Sequence, residues 1–194
     1  MRTIFIGDSV TDCNRLDNPP HGDGYVREIV ALGSLDGDVI NVGTSGHRLV
    51  DLVARWDRDV LANEPDLVSI AIGINDTWRR YDDNDATSVE DFEHNYRGVL
   101  ERTDAAGAML VLCEPFLLPV DHEMQNWRED LDPKIEVVHR LASEFNAVLV
   151  PFDAHFRSLS VSTPMAELAA DGIHPTPLGH RIMASLWMQS VRRD

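Results

Sequence analysis

The sequence predicts an α/β fold, a parallel β-sheet covered by helices on both faces, built as one domain over residues 1–194. Three observations lead there. Five short apolar runs recur along the chain, each closed by a polar or glycine-containing turn. The runs are almost continuously apolar, as strands buried on both faces are. Longer stretches with helical spacing separate them, and strand–helix alternation implies crossovers onto a parallel sheet. Glycine and proline are scattered rather than pooled, so no linker interrupts a chain of a length suited to one core.

The expected strands are residues 3–6, 39–42, 67–72, 109–112 and 147–150. Between the third and fourth, Val89, Phe92, Tyr96, Val99 and Leu100 recur at steps of three and four, behind a Thr87–Glu90 capping box. Ile135, Val138, Leu141 and Phe145 repeat the pattern. That helix is expected to open at Asp132 as N-cap with Pro133 in the first turn, where a missing N–H costs nothing. Leu178, Ile182 and Leu186 share one face of a last helix opened by Thr176 and Pro177.

Composition narrows the function. With 43% hydrophobic and 26% charged residues the chain is neither disordered nor fibrous. A net charge of −16 argues against nucleic acid or an anionic membrane as partner, since phosphate binding needs an excess of Lys and Arg. No apolar run is long enough to span a bilayer. No basic and apolar leader fits between Met1 and Asp8, so a cytoplasmic location is expected. Cys13 and Cys113 make neither a disulfide framework nor a zinc pattern and are expected to be free thiols.

In a parallel sheet, chemistry gathers at the carboxyl ends of the strands. The turns there read Gly7-Asp8-Ser9, Asn41-Val42-Gly43-Thr44-Ser45-Gly46, Gly73-Ile74-Asn75-Asp76 and, after the fifth strand, Asp171-Gly172-Ile173-His174-Pro175. A hydroxyl, a glycine backbone, a carboxamide and an Asp–His pair are the parts of a serine hydrolase. Taken singly, each has a plainer explanation: Ser9 as a turn or cap serine, Gly46 and Asn75 as turn residues, His174 as a structural histidine. Their order, each behind a strand, favours catalysis. The D-x-x-H spacing occurs twice, however. Asp91–His94 lies inside the amphipathic helix, where such spacing makes a surface pair. Asp171–His174 lies in a loop, where Pro175 disfavours helix and the carboxylate can reach Nδ1.

These four blocks resemble those of the SGNH (GDSL) hydrolases, over residues 7–174. The resemblance implies a flavodoxin-like three-layer α/β/α sandwich with a five-stranded parallel sheet. It implies Ser9 as nucleophile, His174 as general base and then acid, and Asp171 as its orienting carboxylate. It places the oxyanion hole at the backbone N–H groups of Ser9 and Gly46 and the side chain of Asn75. Val10 stands where the family's short name has Leu. The strings GDSVTDCNR (7–15), RWDRDV (55–60), GINDTWRRY (73–81) and DGIHPTPLGH (171–180) look like those of the intracellular acetylxylan-esterase branch. That branch removes acetyl groups from short xylan fragments, and some members assemble as homo-oligomers.

Asp8, Trp78, Arg79, Phe116 and Trp127 are the candidate substrate contacts. An aromatic ring beside a guanidinium suits a sugar face, and core or interface packing suits it as well. The segment 114–130 is long for a strand-to-helix connection and reads as a lid or a surface excursion. Asp153 and His155 do not form a metal-ligand set, and no metal or other cofactor is expected. The expected activity is therefore a metal-independent esterase acting on a small acyl ester, most plainly an acetylated sugar. A thioesterase or lysophospholipase uses the same chemistry. A non-enzymatic flavin or nucleotide module would need a phosphate cradle, which the acidic Gly7–Asp12 turn does not offer.

Overall fold

The computed structural model describes residues 1–33 and 35–192. In chain order its elements are β1 (Arg2–Gly7), α1 (Ser9–Asp12), α2 (Tyr25–Ala31), β2 (Asp38–Asn41), α3 (Leu49–Asp59), β3 (Leu67–Ala71), α4 (Ile74–Asp82) and α5 (Val89–Ala105). β4 (Met109–Cys113), α6 (His122–Glu144), β5 (Val148–Val150), α7 (Phe152–Leu159), α8 (Met165–Leu168) and α9 (Pro177–Val191) follow. The strands form one five-stranded sheet, all neighbours parallel, in the order β2-β1-β3-β4-β5. This is the flavodoxin-like order, whose switch point lies between β1 and β3.

Both faces of the sheet are covered, and the two-residue period of a strand divides the core. Ile4, Ile6, Val68, Ile70, Leu110 and Leu112 point to the face under α3, α5 and α6. Phe5, Leu67, Val111, Cys113 and Val150 point to the face under α2, α7 and α9. Trp187 of α9 packs on Phe5 with ring centroids 5.1 Å apart, and its indole N–H donates to Ser69 Oγ at 2.9 Å in the buried interior. No helix among the described residues is long and apolar enough to cross a membrane. Cys13 and Cys113 are free thiols.

Three details depart from the sequence reading. The helix expected to have Asp132 as N-cap is capped eleven residues earlier, by Asp121, which accepts from Met124 N–H at 2.8 Å; Pro133 sits in its interior. The carbonyl that Pro133 leaves unbonded belongs to exposed Glu129, so water can satisfy it. Trp127, Leu131, Ile135 and Val138 keep the buried stripe continuous through the proline. Consequently 114–130 is no extended lid: its second half is helix, and Phe116, Leu117 and Leu118 of its first half are buried. Asp153 holds this segment down, accepting the Leu117 N–H and pairing with Nη1 and Nη2 of Arg128 at 2.6 and 2.8 Å. Secondly, α5 is capped by Ser88, which accepts from Asp91 N–H at 3.0 Å, and not by Thr87. Lastly, α9 is capped by Thr176 as expected, but Leu178 is exposed, and Met183, Ala184 and Trp187 form the buried face.

Ser69→Ala should lower the free energy of unfolding by about 1–3 kcal/mol, because it strands the buried Trp187 N–H without an acceptor. Urea unfolding followed by tryptophan fluorescence measures the loss.

Candidate active site

β1 and β3 end together, and β2 ends opposite Phe5, two residues before the end of β1. Gly7 pairs with Ala71, and beyond Asn41 the Val42 and Thr44 N–H groups donate to Phe5 O and Gly7 O, so the turns after β1, β2 and β3 lie side by side. Asp8 caps α1 by accepting the Val10 N–H at 3.0 Å, and Ser9 is the first residue of that helix. An N–H in that position has no acceptor within the helix. Across the switch point, α4 opens at Ile74, which puts Asn75 in its first turn.

Ser9 Oγ lies 2.9 Å from His174 Nε2. On the opposite side of the ring, Asp171 Oδ2 lies 2.6 Å from Nδ1. The other Asp171 oxygen accepts the backbone N–H groups of Ile173 and His174 at 3.0 and 2.7 Å. With a carboxylate on Nδ1, the proton of the neutral ring belongs on Nδ1, and Nε2 is free to accept from the serine hydroxyl. Burial pushes the Asp171 carboxyl up, but the hydrogen bonds from His174 and Ile173 outweigh it and hold the group below its ordinary range. Asp91, in contrast, accepts from the Ser88 hydroxyl at the start of α5, and His94 is exposed on that helix.

The 43–46 turn lies against α1. Thr44 N–H donates to Gly7 O at 3.0 Å, tying it to the residue before Asp8. Asn41 accepts the Gly43 N–H and donates to Thr11 O and His21 O, joining the end of β2 to α1. Arg15 Nε donates to Gly43 O at 2.5 Å. A Cβ on Gly43 would come within 2.3 Å of the Asp12 nitrogen, so only glycine lets the two backbones approach this closely. Gly46 is exposed and has φ +80, a left-handed conformation that favours glycine. The Asn75 side-chain amide donates one proton to His47 O at 3.0 Å, which fixes the carboxamide and leaves its second N–H available. The orienting His47 carbonyl and the Asn41 bridge escaped the sequence reading, in which Asn41 appeared only as the start of a turn.

The candidate substrate contacts separate by burial. Trp78 and Arg79 are half-buried at the rim; Trp78 has its ring centroid 6.4 Å from that of His174, and Arg79 lies over the Trp78 ring. Trp127 is 5% exposed, stacked on Tyr81 and packed behind Trp78. Phe116 is 4% exposed and stacked on Phe156 in the core under α7 and α9. Asp8 is 2% exposed and serves as a helix cap.

Two acids pay for their burial. Desolvation pushes Asp8 up to about 7, against the hydrogen bond from Val10 and the nearby His174. It pushes Asp76 up to about 6, although Asp76 accepts the Leu49 N–H and faces Lys134 and Arg48. His180 is pushed the other way, to about 4, chiefly by desolvation and then by His174. Among the described residues, no group of three or more His, Cys, Asp and Glu side chains is placed to hold a metal ion.

Comparison with known proteins places this geometry in context. The chain matches the GDSL-like lipase/acylhydrolase family over residues 5–182. It is 34% identical to the acetylxylan esterase of Geobacillus stearothermophilus, covering 98% of this chain and 93% of that protein. The crystal structure of that esterase superposes with a TM-score of 0.89. Variants of it with a serine, an aspartate or a histidine replaced by alanine are described as catalytic mutants. A protein from Parabacteroides merdae described as a GDSL-like lipase superposes with a TM-score of 0.91 at 31% identity, covering 100% of this chain and 96% of that one.

The buried acids make a prediction. Between its ordinary value of 3.8 and about 7, folded Asp8 holds a proton that the unfolded chain has lost, so its contribution to stability falls as pH rises through that window. Asp76 acts with the same sign up to about 6, and His180 with the opposite sign between about 4 and 6.5. Asp8→Asn keeps a capping side chain and removes the charge. Its stability relative to the parent, from urea titrations, should therefore be higher at about pH 8 than at about pH 5.

Proposed function

The chain belongs to the GDSL-like lipase/acylhydrolase family and is a carboxylic ester hydrolase, and we propose that it removes short acyl groups, acetyl above all, from a carbohydrate ester by way of an acyl-enzyme on Ser9. The observation that carries this reading is the pair of contacts on one imidazole: Ser9 Oγ at 2.9 Å from Nε2 and Asp171 at 2.6 Å from Nδ1. A single domain over residues 1–194 suffices for it.

In this mechanism His174 Nε2 takes the Ser9 proton as Oγ attacks the ester carbonyl carbon. Asp171 holds the ring in the productive tautomer and stabilises the imidazolium. The carbonyl oxygen gains negative charge and is met by the N–H groups of Ser9 and Gly46 and the free N–H of Asn75, donors fixed before the reaction begins. His174 then protonates the departing sugar oxygen as the tetrahedral intermediate collapses. Water, deprotonated by the same nitrogen, attacks the acyl carbon; as the bond to Ser9 Oγ breaks, His174 returns the proton to Oγ and the carboxylic acid leaves. No metal enters any step.

Three features support a short acyl group on a neutral, hydroxylated leaving group. Trp78 and Arg79 offer a ring face and hydrogen-bond donors at the rim, beside His174. Phe116, Leu117 and Leu118, the apolar residues able to form a lipid groove, are committed to the core. The apolar cavity beside Asp8 and Val10, bounded by Ile72, Ile74 and Phe116, has a volume of about 20 Å³, on the order of one water. A charge of −16 also opposes binding of polyanionic thioesters such as acyl-CoA. The Geobacillus relative, described as an acetyl-xylooligosaccharide esterase, supports this substrate class.

Ser9→Ala should lower ester turnover by about 10⁴-fold or more and His174→Ala by a similar factor, since triad members act as a unit. Steady-state kinetics with p-nitrophenyl acetate reads both, and circular dichroism confirms that the folds are retained. Along the series acetate, butyrate, octanoate, kcat/KM should fall steeply, with acetylated xylo-oligosaccharide cleaved. Faster turnover of octanoyl esters or octanoyl-CoA than of acetyl esters would replace this reading with a lysophospholipase or thioesterase.

A further inference from the structure

Two motifs remain without a task in the mechanism: the acidic and basic residues of 7–15 beyond the serine, and the arginine that opens 55–60. In the structure they converge on one place. Arg55, on α3, is 7% exposed. Its Nη1 donates to Val42 O at 2.7 Å, the last residue before the 43–46 turn, and to Asp59 Oδ2 at 2.8 Å. Its Nη2 donates to Gly7 O at 3.3 Å, the last residue of β1 before Asp8-Ser9. One guanidinium thus spans the carbonyls at which β1 and β2 give way to their turns. From the other side, Asp12 of α1 accepts both the backbone N–H and the hydroxyl of Ser45, at 3.1 and 2.7 Å.

We propose that Arg55 and Asp12 are positioning residues that clamp the 43–46 turn to the Ser9 turn and so aim the Gly46 N–H at the reacting carbonyl oxygen. The inference rests on the oxyanion reading of Gly46. Its physical basis is the conformational freedom of the turn. Gly46 is exposed, with nothing within 4 Å of where its Cβ would stand, so packing does not hold it. Its direction is set by its neighbours: Ser45, held through Asp12, and the 42–44 backbone, held through Arg55, Asn41 and Thr44. A planar fork suits this task because it reaches two carbonyls on adjacent strands at once, which a lysine ammonium does not do with fixed geometry. Burying the charge carries a desolvation cost that an apolar side chain would avoid, and a positioning duty accounts for it.

An oxyanion donor acts on charge that exists only in the transition state, so misaiming it lowers kcat and leaves KM nearly unchanged. Arg55→Ala and Arg55→Lys should each lose about 10- to 10²-fold in kcat, with KM within about threefold of the parent. Added guanidinium, at concentrations far below denaturing, should restore part of the Arg55→Ala loss, whereas methylammonium should not. Asp12→Ala should show the same kcat loss, and Asp12→Asn, which keeps an acceptor for the Ser45 N–H, a smaller one. Should the Arg55 variants fail to fold, the Asp12 pair decides, because Asp12 is half-buried at the end of α1 and outside the core. Folded variants with parental kcat, a loss carried in KM, or Arg55→Ala rescued equally by both cations would overturn the clamp. Ser9→Ala assayed alongside separates the two readings. If it is inactive while the Arg55 and Asp12 variants keep full kcat, only the clamp fails; if it stays active, the site assignment fails first.

Discussion

The site depends on the turns after three adjacent parallel strands lying side by side. Because Gly7 stands opposite Ala71 and Phe5 opposite Asn41, the turns after β1, β2 and β3 emerge side by side. Backbone hydrogen bonds, such as Thr44 N–H to Gly7 O, then keep them there. The order β2-β1-β3 sends the chain from β1 to one side and returns it on the other, which opens a crevice directly above β1. Ser9 stands in that crevice. A register shift of one residue in β1 would move the hydroxyl along the strand and also exchange the Ile4/Ile6 and Phe5 faces of the core. Burial of both faces therefore protects the position of the Ser9 turn.

Charge is buried around this crevice in two ways. Arg55 with Asp59, Arg128 with Asp153, and Lys134 with Asp130 are paired, so each ion meets its opposite where water is scarce. Breaking such a pair leaves an uncompensated charge and costs far more than the pair contributes. Asp8 and Asp76 are treated differently. They are held by backbone N–H groups rather than cations at contact distance, and both are driven upward by burial. They lie at the N-termini of the two elements that carry Ser9 and Asn75, so the acids that shape these turns also make the fold sensitive to pH.

The rim and the interior divide the aromatic residues near the site. Trp127 stacks on Tyr81 and supports Trp78, which alone of the three comes close to the His174 ring. The Arg128–Asp153 pair pins the loop after β4 and turns Phe116 inward, and this removes the apolar surface that a long acyl chain would need. The short-acyl preference we propose would then rest on a salt bridge remote from Ser9, through the direction in which a loop is folded.

The sequence by itself determined the strands, their parallel packing and the four turns that carry Ser9, Gly46, Asn75, and Asp171 with His174. Those features are local: an apolar run, a turn residue and a three-residue spacing are legible wherever they occur. It also favoured Asp171–His174 over Asp91–His94, because Pro175 marks a loop and the latter pair falls within helical periodicity. Tertiary structure alone decided the rest. Asp121 starts α6 because the buried stripe through Trp127 and Leu131 has a core to pack on, and this outweighs the helix-start signal of Asp132-Pro133. Phe116 and Trp127 read equally well as lid or core until their neighbours are known. Arg55 reaches Val42 and Gly7 across 13 and 48 residues, and Asp12 reaches Ser45 across 33. Such contacts depend on how the sheet brings its turns together, and nothing in the residues flanking an arginine or an aspartate records which distant carbonyl or amide it will meet.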